Sequence, residues 1–398
     1  MDGLLLRNVR PLGAPAVDVL VRGGVIAAIG PGLGADSAVP VEEGGGALLL
    51  PGLVESHTHL DKTLWGLPWY VNEVGSRLQD RIANERRFRA ASGHDAGAQS
   101  LALARAFLAQ GTTRLRSHVD IDTDAGLRHL HGVLATRAAL REVMEIQLVA
   151  FPQSGLLARP GTEDLLDEAL RLGADVLGGL DPQAVDGDRL ASLDRLVGLA
   201  QRHGKPLDVH LHEEGEEGAA TLDALLDRVD ALGLAGRVAI SHCFCLGDVD
   251  DARRSRLLDR MARLQVAIVT TGTASRPVPP LPACRAAGVL VAGGNDGIRD
   301  TWTPYGRPDM LERAMLIGLR NNLRRDDELA LALETVTGAG AQVCGFAHHG
   351  LAPGCRADFV LVDAANLQEA VVARPVRDLV VSRGRIVAQR GVLISLLQ

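Results

Sequence analysis

The chain has 398 residues, a formal net charge of −7, 46% hydrophobic and 23% charged residues. That balance excludes a disordered or fibrous chain, and the absence of a basic block excludes nucleic acid or an anionic membrane as the main partner. No apolar run reaches the roughly 18 residues that a bilayer crossing needs. Met1-Asp2-Gly3-Leu4 has no basic stretch ahead of an apolar one and does not read as a secretory signal. The five cysteines, Cys243, Cys245, Cys284, Cys344 and Cys355, form no C-x-x-C pair, which points to a reducing cytoplasm.

Residues 1–50 read as β structure, with short apolar or alternating runs at Leu4 to Val9, Ala16 to Arg22 and Val25 to Ile29. Residues 345–398 look similar, with runs at Asp358 to Asp363, Asp378 to Ser382 and Arg385 to Val387. Neither end can bury a core alone, so the two are expected to pair into one small β-sandwich. Residues 51–344 repeat a rhythm of apolar strand, polar strand end and helix. The eight runs are Leu48 to Val54, Thr113 to Ser117, Ile146 to Phe151, Val176 to Leu180, Leu207 to Val209, Val238 to Ser241, Val266 to Thr270 and Val289 to Gly293. Helix-period stretches fill most intervals, among them Ser100 to Gln110, Glu163 to Leu172, Arg189 to His203 and Ala219 to Leu232. Near-continuous apolar strands alternating with helices predict a (β/α)8 TIM barrel inserted into the β-sandwich. Gly293-Gly294 reads as a turn.

Barrel chemistry sits at the C-terminal ends of the strands. His57 and His59 follow the first run, and two residues apart on an extended chain their imidazoles point to one side. His210 follows the fifth run with His212 and Glu213 beyond it, His242 follows the sixth, and Asp296 follows the eighth. Four strands delivering His or Asp to one rim indicate a metal site. His212 alternates with His210 and is expected to point away. His118, at the end of the second run, either lines the pocket or packs at the rim, and Asp181 and Asp186 on the fourth rim loop either touch substrate or cap the next helix. Cys243 and Cys245 read as buried inert thiols. Only Lys62 and Lys205 are lysines. Lys62, three residues after His59, reads as a pocket residue, with a salt bridge to Asp61 as the alternative.

The segment Pro51-Gly52-Leu53-Val54-Glu55-Ser56-His57-Thr58-His59-Leu60-Asp61 resembles the first-strand signature of the amidohydrolase superfamily, and the resemblance spans essentially the whole chain. Within it the chain is most similar to the cytosine deaminase branch through Phe151-Pro152-Gln153, Asp208-Val209-His210 and Ser241-His242. His59-Leu60-Asp61-Lys62-Thr63 and Ile298-Arg299-Asp300 with Trp302 lean towards its triazine-degrading relatives, the isopropylammelide aminohydrolases. The resemblance implies His57, His59, His210 and Asp296 as metal ligands, with Glu213, His242 and Asp296 as catalytic groups. It also implies Lys62, Gln153 and Trp302 as substrate-binding groups. Gly297 stands where cytosine deaminase has a second aspartate, so cytosine itself is expected to be a poor substrate. The fourth run ends in Leu180-Asp181-Pro182, without the bridging lysine of binuclear members, so one divalent ion per chain is expected, and His3Asp suits zinc or iron.

The expected activity is therefore hydrolytic removal of an amino or alkylamino group from an N-heterocycle such as a pyrimidine, an s-triazine or a related cyclic amidine. Its partners are that small molecule and water, and a homo-oligomer is compatible with such a barrel. Ring opening of a cyclic amide is the alternative within the same fold. An inactive scaffold is a further one, although it would be expected to lose metal ligands, and none is missing.

Overall fold

Terminal segments such as Val17–Arg22 form strands because alternating residues give them one apolar and one wetter face. The structure, a computed structural model, describes residues 3–34, 39–75 and 77–394; Met1 and Asp2 of the N-terminal stretch lie outside them. The N-terminal part contributes β1 (Gly3–Pro11), β2 (Val17–Arg22), β3 (Val25–Gly30), β4 (Val41–Glu43) and β5 (Leu48–Pro51).

The barrel strands are β6 (Leu53–Thr58), β7 (Thr112–Asp120), β8 (Glu145–Phe151), β9 (Val176–Leu180), β10 (Leu207–Leu211), β11 (Val238–His242), β12 (Ala267–Thr270) and β13 (Val291–Gly293). Each pairs in parallel with the next, giving an eight-stranded sheet in sequence order. Helices fill the intervals, including Ala96–Ala109, Arg128–Leu140, Thr162–Leu172, Arg189–His203 and Gly215–Ala231. Thr162–Leu172 shows why such segments are helical: Thr162, Leu166, Ala169 and Leu170 share one buried stripe, and Glu163 and Asp164 favour the N-terminal end of the helix dipole.

The chain returns through β14 (Phe359–Val362), β15 (Arg377–Ser382), β16 (Arg385–Gln389) and β17 (Val392–Leu393). β14 runs antiparallel to β5, and β5 pairs with the end of β1, so strands from both ends join in one nine-stranded sheet. Leu4 and Leu6 of β1, Val19 and Val21 of β2, and Ile26 of β3 share a core with Phe359 and Leu361 of β14 and Val381 of β15. That shared core belongs to a sheet domain formed from the two ends. Among the described residues no helix is long and apolar enough to cross a membrane.

The structure differs from the sequence reading at the first barrel run. Leu48 to Val54 is two strands, β5 in the terminal sheet and β6 in the barrel, separated at Gly52. Both are fully buried, so hydropathy carries no mark of the join. Several barrel strands also run further than their apolar runs. β7 continues to Asp120 and β11 to His242, because the ladder persists where the side chains turn polar.

Candidate active site

The strand ends bring the expected ligands to one rim. His59 Nε2 lies 3.2 Å from Asp296 Oδ1, His57 Nε2 lies 3.5 Å from the same oxygen, and His242 Nε2 lies 3.9 Å from Oδ2. The His57 and His210 ring centroids are 4.6 Å apart, and those of His210 and His242 are 5.1 Å apart. Ligand atoms of His57, His210, His242 and Asp296 lie within 4.8 Å of one another, and so do those of His57, His59, His118 and His210. The second set shows that His118, left open by the sequence, stands inside the cluster; its ring centroid is 4.1 Å from that of His57.

The electrostatics suit a cation. Burial pushes His59 down to about 4, helped by Lys62, and burial and His57 push His118 down to about 3. Burial and the neighbouring histidines hold His210 and His242 well below the usual range, so these rings are neutral and can offer lone pairs. Burial would raise the Asp296 carboxyl, but the adjoining His57 and His59 hold it well below the ordinary value. Among the described residues His57 Nε2, His59 Nδ1 and both ring nitrogens of His210 and His242 have no hydrogen-bond partner. Buried nitrogens without partners are costly unless something satisfies them, and a divalent metal fits this donor set.

One histidine tautomer follows from the surrounding bonds. Ser241 Oγ donates to Asp208 Oδ1 at 2.6 Å and lies 2.8 Å from His57 Nδ1. Burial would raise Asp208, but His118 and Arg116 hold it well below the usual range, so it accepts only. The single Ser241 proton is thus committed to Asp208, and Ser241 Oγ accepts from His57 Nδ1–H. His57 Nε2 is left with its lone pair towards Asp296. Behind it, Glu55 accepts from His57 N at 2.9 Å and from Asn295 Nδ2 at 2.6 Å, tying β6 to the segment after β13.

Gly294, expected as a turn, is a close approach: a Cβ there would lie 2.5 Å from His57 Cβ and 2.7 Å from His57 N. Asp181, His242 and Asp296, all at or just beyond strand ends, have φ of 35°, 71° and 64°. Left-handed backbone at such residues stores about 1–3 kcal/mol each and turns their side chains towards the rim.

The three expected substrate-binding residues lie together. Lys62 Nζ donates to Gln153 Oε1 at 2.7 Å and stands 5.3 Å from the Trp302 ring centroid. Lys62 also lies 3.4 Å from Asp120 and 3.7 Å from Glu85. Its sequence neighbour Asp61 instead bonds His129 Nδ1 at 2.7 Å, so the alternative pairing of Lys62 with Asp61 gives way to Asp120 and Glu85. Glu85 and Arg89, four apart on helix Leu78–Ser92, complete this buried network with an Arg89–Asp120 ion pair. The sequence reading missed both. Their only signal is an i, i+4 charge pair, which usually marks a wet helix face.

Glu213 is buried, and its Oε1 accepts from Gln183 N at 2.8 Å and Ala184 N at 3.0 Å, while Oε2 accepts from the Thr221 hydroxyl. A carboxylate offers about four lone-pair sites, so one remains. His212, expected to point away, instead stacks on His242 at 4.3 Å and bonds Asp181 Oδ2 at 2.7 Å; the strand has ended at Leu211 and alternation no longer applies. Burial would lower His212, but Asp181 holds it above its ordinary value. Cys243 and Cys245 are buried free thiols, and the bond to Cys245 together with burial raises Cys243 well above the usual range, against a thiolate role.

The chain is similar over nearly its whole length to known proteins. A crystal structure of N-isopropylammelide isopropylaminohydrolase from Burkholderia multivorans is 63% identical, covers 99% of this chain and 100% of its own, and has a TM-score of 0.97. 5-Methylcytosine deaminase from Klebsiella pneumoniae is 27% identical with a TM-score of 0.86, covering 97% of each chain. N-isopropylammelide isopropyl amidohydrolase of Pseudomonas sp. strain ADP is 28% identical over 88% of each chain. The amidohydrolase family pattern matches residues 44–388, and this chain belongs to the amidohydrolase family.

Proposed function

We propose that this amidohydrolase hydrolyses the bond between a ring carbon and an exocyclic nitrogen of an N-heterocycle, releasing ammonia or a small amine. The observation that carries this reading is a pair of overlapping donor groups at one rim, His57, His59, His118 and His210 with His57, His210, His242 and Asp296, and His59 lies 3.2 Å from Asp296. The Lys62–Gln153–Trp302 cluster supports it, as a set of polar and aromatic groups suited to a flat polar ring. The 63% identity to an isopropylammelide aminohydrolase makes an alkylamino-triazine the first substrate to test.

In this reading His57, His59, His210 and Asp296 hold one divalent ion, zinc or iron. When bound, such an ion lowers the pKa of water towards about 7. Asp296 takes a proton from the attacking water as the new C–O bond forms at the ring carbon. Glu213 gives a proton to the adjacent ring nitrogen, drawing electrons from that carbon, and His242 hydrogen-bonds the incoming oxygen. As the C–N bond breaks, the proton on Asp296 leaves with the amine. The proton of the new hydroxyl returns to Glu213, leaving a ring carbonyl beside an N–H. Lys62 and Gln153 orient the ring through its carbonyl and N–H groups, and Trp302 forms a wall. Residues 51–344 then form the catalytic barrel, and residues 1–50 with 345–398 form its companion. The five free cysteines support a reducing cytoplasm as its location.

The test is product analysis by mass spectrometry after incubating the metal-loaded protein with aminopyrimidines and alkylamino-triazines. Replacement of the amino group by oxygen with the ring retained is the expected result. A ring-opened product carrying one added water would overturn the reading in favour of cyclic amide hydrolysis.

A further inference from the structure

We propose that Asp300 is a substrate-recognition residue whose Oδ2 accepts a hydrogen bond from an N–H of the heterocycle. This deepens the functional reading above and rests on it. Asp300 follows the candidate ligand Asp296 by four residues and is only 3% exposed. Its Oδ1 accepts from Trp302 N at 2.8 Å and Thr303 N at 2.9 Å, which fixes the carboxylate plane. Its Oδ2 is buried and has no hydrogen-bond partner among the described residues. A buried carboxylate oxygen held in place without a donor is unfavourable unless a ligand brings one.

The position of that oxygen points to the heterocycle as the donor. A Cβ built on Gly297 would lie 2.0 Å from Asp300 Oδ2, so the carboxylate occupies the space that a side chain beside Asp296 would otherwise take. The Gly297 backbone lies outside the left-handed region, so glycine is required there by the carboxylate rather than by φ. Burial pushes the Asp300 carboxyl up to about 7, against Lys62 and the two backbone N–H groups, with Glu85 adding to the rise. Asp300 holds the Trp302 backbone and feels the Lys62 charge, and Lys62 in turn approaches Gln153 and the Trp302 ring, so Asp300 adjoins the groups proposed to orient the ring. Lys62 is a donor and Asp300 an acceptor. Together they match a ring edge that alternates carbonyl and N–H.

Two variants separate recognition from folding. Asp300→Asn keeps an oxygen for the Trp302 and Thr303 amides but turns the free acceptor into a donor. Gly297→Ala leaves the carboxylate in the chain and displaces Oδ2 from its place. Calorimetry with cyanuric acid, which has an N–H at each ring nitrogen, and with its N-trimethyl derivative, which has none, reads the contact without turnover. We expect wild-type protein to prefer cyanuric acid, and both variants to bind it at least about tenfold more weakly, with cooperative unfolding and metal content retained. Binding of cyanuric acid at wild-type strength by both variants, or wild-type protein that binds neither ring or both alike, overturns the proposal. Wild-type protein that prefers cyanuric acid through Asp300 yet releases no amine from any aminoheterocycle supports the contact and removes the hydrolase reading instead.

Discussion

Replacing Ser241 by alanine deletes one buried oxygen that commits His57 to a single tautomer. In the wild type, His57 Nδ1–H has Ser241 Oγ as acceptor at 2.8 Å, and Ser241 hands its own proton to Asp208 at 2.6 Å. In Ser241→Ala the Nδ1–H is left buried without a partner, which costs about 1–3 kcal/mol. Asp208 keeps Arg116 Nη1 at 2.8 Å, so the loss falls chiefly on His57. The ring can escape by moving its proton to Nε2, but that removes the lone pair facing Asp296. Either route weakens metal binding, and loss of such a supporting bond typically lowers metal affinity about 10–100-fold. That range corresponds to about 1.4–2.8 kcal/mol, the same size as the orphaned donor. Competition with a zinc chelator measures the dissociation constant, and Ser241→Thr, which restores the hydroxyl, is the control. Metal held by Ser241→Ala within about twofold of wild type refutes the relay, because so small a change is under 0.5 kcal/mol by the same conversion.

Glu213→Gln keeps an oxygen for the Gln183 and Ala184 amides but loses the exchangeable carboxylate proton; turnover is expected to fall at least about a hundredfold with metal content retained. Near-normal turnover would take Glu213 out of the reaction. Elemental analysis of metal-saturated protein should give one tightly held transition metal per chain, and two retained equivalents at the rim would contradict that count. Asp300 has a folded-state pKa of about 7 against an ordinary 3.8, with Lys62 and Glu85 facing it, so the folded form binds more protons between those values. Its contribution to stability is present below about pH 4 and declines as pH rises to about 7. Melting temperatures across that window should fall less steeply for Asp300→Asn than for wild type, and equal slopes would remove the assignment.

The barrel was legible because parallel strands buried on both faces leave continuous apolar runs, and Val176–Leu180 and Arg189–His203 match the observed elements residue for residue. The join at Gly52 was not legible, since burial is complete on both sides of it. At the rim, His57, His59, His210, His242 and Asp296 could be picked out because polar residues interrupt apolar strands at regular places. His118 was ambiguous because its run stops at Ser117 while the strand continues, and His212 was misplaced because alternation was carried past the last ladder residue. The placing of Glu85 and Arg89 against Lys62 and Asp120 depends on contacts between segments distant in sequence. No local pattern encodes them. Gly297 was readable only as a missing side chain, and the structure shows another carboxylate in its place.

The seam of the barrel and the candidate metal site are the same place. Seven neighbouring strand pairs form ladders from β6 round to β13. Between β13 and β6, the described backbone contact is the Thr58–Asp296 bridge, with Asp296 N donating to His57 O at 2.8 Å. Glu55 reinforces it by accepting from both His57 N and Asn295, and Gly294 allows the two backbones to come that close. Ligands from β6 and the segment after β13 would clip this joint when a metal binds, so binding energy acts on the least hydrogen-bonded part of the barrel. A ligand that binds only the folded form stabilises it by mass action, and at about 100 times its dissociation constant the gain is about 2.7 kcal/mol. Here that gain is directed at the joint that also positions Asp296, the group proposed to take the proton from water. Closure of the fold and alignment of the chemistry therefore depend on the same few bonds. At this joint the single amide-to-carbonyl bond is accompanied by a fully buried carboxylate, Glu55, which burial pushes up to about 7 and which accepts from both sides of the seam.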